Sequence, residues 1–357
     1  MQNNSLELSF LSLIALISFF VFLIIQKLSH KISNGALLDD DFNKPQAFHS
    51  FPVSRCGGLS SFIVFLIFIF FYNSIFSNLY IEYLVICSGL FFIGFVEDLK
   101  INLSPKIRLF LMTILLLFSV NFFSIDILKI ELFFLNDLLQ NKLFKILFIS
   151  LCFLFIINGA NLIDGFNGLL GIHLIIINSI LLYVNLNNNL IEISILIISQ
   201  IIILLSFLLF NFPKPKMFMG DGGAYLFGSA TSLNVIITNN FNPLVSSFFF
   251  CTILFYLFFE VFFSFLRKVY QKKSPIKPDN LHLHMLLFNF LKTRLNLNDL
   301  NYVNSLFINF GYSLLVLPSI IFLNNGIICK YWFFSLLSIY LIVYARLYSF
   351  TKKKINI

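Results

Sequence analysis

The chain has 357 residues, 59% hydrophobic, 18% aromatic and only 11% charged, with a formal charge of +8. Soluble domains carry about 25% charged residues, so the composition excludes an ordinary soluble domain. It also turns the basic surplus into a question of loop asymmetry across a membrane rather than of nucleic-acid binding.

Taken in chain order, apolar segments near twenty residues fall at 8–26, 58–76, 79–96, 107–124, 143–161, 168–187, 190–211, 222–238, 243–266, 305–324 and 327–348. Each is long enough to cross a ~30 Å hydrocarbon layer as a helix. Backbone groups in lipid must be satisfied within the segment, and the alternation of a barrel is missing. The expectation is an all-α, polytopic membrane protein of about eleven transmembrane helices, a single domain over 1–357. The first span has no positive residue before it and no small-residue cleavage site, so it reads as a retained helix rather than a removed signal. Cys56, Cys87, Cys152, Cys251 and Cys329 show no metal or disulfide spacing and read as packing residues.

Alternate loops divide the cations unequally. One set holds twenty of the twenty-four Lys and Arg residues, including Arg55, Lys106, Arg108, Lys214, Arg267 and Lys277. The other holds Lys129, Lys142, Lys145 and Lys330. By the positive-inside rule the first set is cytoplasmic, with the N-terminus outside and the C-terminus inside.

Five polar stretches then share the cytoplasmic face: DDDFNKPQAFHSFPVSRCGG at 39–58, VEDLKINLSPKIR at 96–108, NGANLIDGFNG at 158–168, KPKMFMGDGG at 214–223 and KPDNLHLH at 277–284. Asp39, Asp40 and Asp41 read first as a solvated charge run, and His49, Arg55, Gly57 and Gly58 as a structured turn. Glu97 and Asp98 are adjacent carboxylates at a membrane boundary, whose repulsion a divalent cation or a shared proton relieves. Asp164 with Asn158, Asn161 and Asn167 exceeds what one helix cap needs, and amides can read a base or sugar edge. The glycine turn around Asp221 suits phosphate, and its lone carboxylate suits Mg²⁺. His282 and His284 lack a third soft ligand for zinc and read as phosphate contacts or proton carriers near Arg267. Glu260, inside a span, reads as functional and paired with a cation. His30 and His173 read as structural or interfacial. The whole set fits metal-assisted chemistry on a diphosphate with a lipid partner.

These stretches resemble the polyprenyl-phosphate N-acetylhexosamine-1-phosphate transferases. NLIDGFNGLLG at 161–171 is similar to that family's Asn-x-x-Asp-Gly-x-Asp-Gly element, and FMGDGGAYLFG at 218–228 to its Phe-Met-Gly-Asp-x-Gly-Ser element. GFVEDLKINLSPKIRL at 94–109 resembles its aspartate-pair loop, PQAFHSFPVSRCGGLS at 45–60 its first cytoplasmic loop, and PDNLHLH at 278–284 the His-Ile-His-His element of its surface-polysaccharide branch. Glu97 replaces an Asp, Asn167 a second Asp, Ala224 a Ser and Met285 the last His; Asn167 therefore inherits no acid role.

The resemblance implies transfer of an N-acetylhexosamine 1-phosphate from a UDP-sugar to undecaprenyl phosphate, releasing UMP. That is the first step of a lipid-linked surface polysaccharide such as an O-antigen of lipopolysaccharide. It implies a bacterial inner membrane, a cytoplasmic active site, membrane lipid but no nucleic acid as partner, and leaves a homodimer open. It implies Mg²⁺, with Mn²⁺ the alternative, held by Asp221 and Asp98. Glu97, Asp98 and Asp164 would be catalytic. Lys106, Asn158, Asn161, Asn167, Glu260, Arg267, His282 and His284 would bind substrates. The rival branch uses a muramyl-pentapeptide donor and usually carries consecutive histidines, which LHLHM lacks. An ion-coupled transporter is the rival class, argued against by polar groups at helix ends and by the lack of a repeat.

Overall fold

The computed structural model describes residues 2–29, 31, 35–39, 51–76, 80–275, 277, 279–295 and 300–355. Asp40, Asp41, His30, Lys44 and His49 lie outside these residues, as does much of the stretch 45–60. The described chain forms α1 (Gln2–Leu28), a two-strand hairpin of β1 (Leu38–Asp39) and β2 (Val53–Ser54), α2 (Gly57–Phe76), α3 (Ile81–Asp98), α4 (Pro105–Phe122) and the short α5 (Phe133–Leu139). There follow α6 (Lys142–Ile163), α7 (Leu169–Asn187), α8 (Ile191–Asn211), α9 (Gly220–Phe241), α10 (Ser247–Tyr270), α11 (Leu283–Arg294), α12 (Leu300–Val316) with a 3-10 turn to Phe322, and α13 (Gly326–Ile355).

Among the described residues, nine helices are long and apolar enough to cross a membrane. The chain is an all-α, multi-pass membrane protein. The other two expected spans are helices as well, but more polar ones. α3 carries Glu82, Glu97 and Asp98 in eighteen residues, and α9 is rich in Gly, Ser, Thr and Asn. The reason is position. Eighteen of the twenty-two residues of α9 are buried, because it runs between α2, α3, α6 and α7 at the centre of the bundle. Its side chains meet protein, not lipid, so small and polar residues are tolerated where they find partners. Tyr83 Oη donates to Asn234 Oδ1 at 2.7 Å, and the Asn234 amide donates to Asn178 and Gln200 at 2.9 and 2.8 Å. That closes a buried network between α3, α7, α8 and α9.

The short helices α5 and α11 are additions to the sequence reading. α11 has twelve residues, too few to span, and docks on α12 and α13. His173 is fully buried, 3.1 Å from Asn309 and ring to ring with Tyr312 at 4.0 Å. It is a core residue, as expected.

Candidate active site

The polar stretches converge because glycines let the ends of α2, α3 and α9 touch backbone to backbone. Gly57 and Gly58 donate to the carbonyls of Phe218 and Met219 at 2.9 and 2.8 Å, and Phe218 donates back to Ser54. A methyl group at Gly94 would stand 2.6 Å from the Asp221 carbonyl, so α3 can approach the start of α9 only with glycine there.

The carboxylate of Asp98, 1% exposed, lies across that start. Its Oδ1 accepts from the Asp221 N–H and its Oδ2 from the Gly222 N–H, both at 2.9 Å. Gly220 has φ +75°, and a Cβ there would meet Asp98 Oδ1 at 2.6 Å; the turn requires glycine twice over. The Gly220 N–H faces Asp164. The unsatisfied N–H groups and positive dipole end that a helix start offers are thus filled by the protein's own carboxylates. The glycine turn expected to cradle phosphate is occupied by Asp98 instead.

Two arginines balance these acids. Arg108 donates to Asp221 and stands 4.0 Å from Glu97. Arg55 pairs with Asp39 at 2.6 Å and reaches to 3.9 Å from Asp98. Asp39 is therefore a paired group rather than part of a solvated run. Asp164, at the C-terminal cap of α6, is half-buried. Burial, then the nearby Asp221 and Asp98 carboxylates, push its carboxyl well above the usual range against the pull of Arg55. Glu97, Asp98, Asp164 and Asp221 thus crowd one corner with two guanidiniums, and Glu97 Oε2 is buried without a hydrogen bond.

This acid excess and all-oxygen donor set fit a hard divalent cation. Among the described residues no three His, Cys, Asp or Glu side chains enclose an ion by themselves. Mg²⁺ is commonly held by one or two carboxylates and completed by substrate phosphates and water, which this corner can supply.

The neighbouring amides have local duties. Asn158 donates to Leu154 of its own helix at 2.7 Å. Asn167 donates to the Pro213 carbonyl at 3.0 Å and its N–H is taken by Asn301, while the Gly168 N–H donates to Asn211. Asn167 and Gly168 lock the turn onto α8 rather than capping α7 with an Asn or Asp side chain. Asn161 is half-buried one turn before Asp164, and Lys106 stands exposed at the start of α4.

The fifth stretch forms a separate cluster. Glu260 accepts from the Leu283 N–H at 2.8 Å and from Tyr340, and lies 3.2 Å from His282 Nδ1. In the place of the expected cation stands the His282 imidazole. His282 Nε2 is 3.5 Å from Asp279, which Arg267 clasps with bonds of 2.8 and 3.1 Å. Glu260, Arg267 and His282 therefore tie the loop to α10 and α13 rather than presenting free groups. His284 is fully buried and held neutral, its pKa lowered by burial to about 3. It contacts Tyr256, and its Nε2 has no hydrogen-bond partner. It touches the Asp164 turn through Phe166, ring centroids 5.8 Å apart.

A family model described as glycosyl transferase family 4 matches residues 80–239. An undecaprenyl-phosphate alpha-N-acetylglucosaminyl 1-phosphate transferase of Thermotoga maritima is 28% identical over 241 residues, covering 66% of this chain and 68% of that protein. A phospho-N-acetylmuramoyl-pentapeptide-transferase of Dictyoglomus turgidum is 30% identical over 236 residues, covering 62% and 73%. A protein of the same name from Clostridioides difficile is 27% identical over 206 residues, covering 54% and 64%.

The chain belongs to glycosyl transferase family 4. The family match contains Glu97, Asp98, Arg108, Asp164 and Asp221, the greater part of the carboxylate corner, and leaves out Arg55 and the histidine cluster. The sequence reading names neither arginine as a site residue: it places Arg55 in a structured turn and Arg108 only among the loop charges. A signal existed: the chain has five arginines among twenty-four cations. Arg55, Arg108 and Arg267 each engage a carboxylate, where a planar fork outperforms an ammonium.

Proposed function

We propose that the chain transfers an N-acetylhexosamine 1-phosphate from a UDP-sugar to undecaprenyl phosphate at the cytoplasmic membrane surface. Release of UMP accompanies the first step of a lipid-linked surface polysaccharide. The observation that carries the reading is the carboxylate–arginine corner at one end of a membrane-spanning bundle, in a chain of this family. A lipid phosphate lying at the membrane boundary and a soluble nucleotide sugar can meet only at such a place.

In the reaction an anionic oxygen of the lipid phosphate bonds to the sugar-side phosphorus of the donor. The bond from that phosphorus to the bridging oxygen breaks, and UMP leaves with the electron pair. Repulsion between anions is the main barrier. Mg²⁺, bound at Asp221 with Glu97 beside it, would supply positive charge to the diphosphate oxygens. Arg108 and Lys106 add fixed cations at the mouth of the corner, and Asn161 and Asp164 flank the donor's place. Asp98 is a positioning residue in this reading. With both oxygens on the N–H groups of α9, it fixes where the Asp221 carboxylate stands.

Purified protein with undecaprenyl phosphate, Mg²⁺ and a panel of UDP-sugars tests this by UMP release. Turnover is expected with an N-acetylhexosamine donor, and a short water-soluble alkyl phosphate should be a far poorer acceptor. Equal rates with both acceptors would count against the membrane-surface reading. The second reading, a phosphomuramoyl-pentapeptide donor, is favoured by the names of two relatives above, and turnover with that donor alone would establish it instead.

The orientation is tested by labelling. Lys277→Cys should react with a membrane-impermeant thiol reagent only after the cells are opened, whereas Asn189→Cys should react from outside. Labelling of position 277 on intact cells would overturn the cytoplasmic site.

A further inference from the structure

The fold leaves one end of the Arg55 side chain unused. The guanidinium donates side-on to a single carboxylate oxygen, with Nε at 3.1 Å and Nη2 at 2.6 Å from Asp39 Oδ2. Nη1, on the opposite edge, makes no hydrogen bond among the described residues. Asp98 Oδ1 stands 3.9 Å from it, but both Asp98 oxygens are already taken by the N–H groups of α9. Arg267 gives the contrast, since its Nη1 and Nη2 engage both oxygens of Asp279 and close the fork.

The open end is both aimed and reachable. The side chain is 22% exposed, and Nη1 is not sealed from solvent. Nη1 is the edge turned toward Asp98, and the charge of Arg55 also reaches Asp164 and Asp221, so the unused N–H groups face the carboxylate corner. The backbone beneath is pinned. The Arg55 N–H donates to the Leu37 carbonyl at 2.7 Å, and the Ser54 carbonyl accepts from Phe218 at 2.8 Å. These bonds fix the hairpin of β1 and β2 against the segment leading into α9. A cation on a rigid mount has little freedom left to lose when an anion arrives.

Position selects the anion. The hairpin lies in the connection between α1 and α2, outside the spanning helices, so Arg55 approaches the corner from the aqueous side. A soluble nucleotide sugar enters from that side, whereas a lipid phosphate stays at the membrane boundary. Asp164, which flanks the donor's place in the transferase reading, feels the same guanidinium. Guanidinium N–H groups match phosphate oxygens in geometry and charge.

We propose that Arg55 is a donor-binding residue: its Nη1 donates to a diphosphate oxygen of the nucleotide sugar, while Asp39 holds the guanidinium in that orientation. The proposal rests on the transferase reading and names the donor-side contact within it. The test titrates UDP with Mg²⁺ into the full chain in detergent by calorimetry. UMP release is measured alongside, with donor and acceptor concentrations varied in turn.

Arg55→Gln should weaken UDP binding by about thirtyfold and raise the KM for the UDP-sugar, with the KM for undecaprenyl phosphate within about twofold of wild type. Arg55→Lys keeps the charge without the planar fork, should lose about fivefold, and keeps the test decisive if Arg55→Gln folds poorly. Asp39→Asn separates binding from support: it leaves the cation in place with an oxygen to lean on, so UDP affinity should stay close to wild type. Wild-type UDP affinity in both Arg55 variants, an equal loss in Asp39→Asn and Arg55→Gln, or a rise in the acceptor's KM in place of the donor's would each overturn the proposal. A wild-type protein that releases no UMP from any UDP-sugar would fail the transferase reading itself, a result distinct from these three.

Discussion

UMP release by Asp221→Asn is expected to fall by about a thousandfold or more, the scale set by removing one essential electrostatic group from a phosphoryl-transfer site. Asp221 is the carboxylate at the start of α9 whose side chain is turned outward to Arg108, while its own N–H is fixed by Asp98. Asparagine preserves shape and the backbone bond, so the helix start and the thermal stability in detergent should stay close to wild type. What is lost is the charge that pairs with Arg108 and would hold Mg²⁺. Asn167→Ala provides the contrast. That side chain donates to the Pro213 carbonyl at 3.0 Å, so its loss should cost about 1 kcal/mol of stability with a smaller effect on rate. Near-native turnover of Asp221→Asn at limiting Mg²⁺ would sink the assignment of this carboxylate to the metal.

Asp98→Ala should damage both fold and activity, in that causal order. The carboxylate is buried and satisfies two N–H groups at the start of α9, so its removal leaves donors without partners. By capping and buried-bond magnitudes the loss is about 2–4 kcal/mol. Asp98→Asn keeps one acceptor and should lose roughly half as much. Because Asp98 acts through the backbone of α9, its substitution should weaken Mg²⁺ binding measured in the absence of substrates, and the loss of turnover should follow the loss of metal affinity. If Asp98→Asn kept wild-type Mg²⁺ affinity and melting temperature while turnover vanished, Asp98 would be a chemical participant rather than a positioning residue.

The sequence by itself determined the solvent. Apolar segments of helical length, read one at a time, predict helices at every one of the eleven expected places, because a chain in lipid has no other way to satisfy its backbone. It also showed which ends of those helices carry chemistry. Glu97, Asp98, Asp164 and Asp221 stand out against a chain so poor in charge, and four of the five polar stretches do meet at one corner.

Only the tertiary structure decided which partner each group takes. Whether Asp98 faces a metal or a helix start depends on the closeness of α3 to α9, which Gly94 and Gly220 permit from sequence positions more than a hundred residues apart. Whether Glu260 is a lone intramembrane acid or a clamp depends on Tyr340 from the last helix and Leu283 at the start of α11. The helix α9 shows the same division. Its Gly, Ser and Asn content lowers its hydropathy, yet it sits at the centre of the bundle, because a helix surrounded by other helices is selected for close contact and shared hydrogen bonds rather than for lipid. Periodicity and composition report the environment of a segment; pairing across sequence distance is settled by packing.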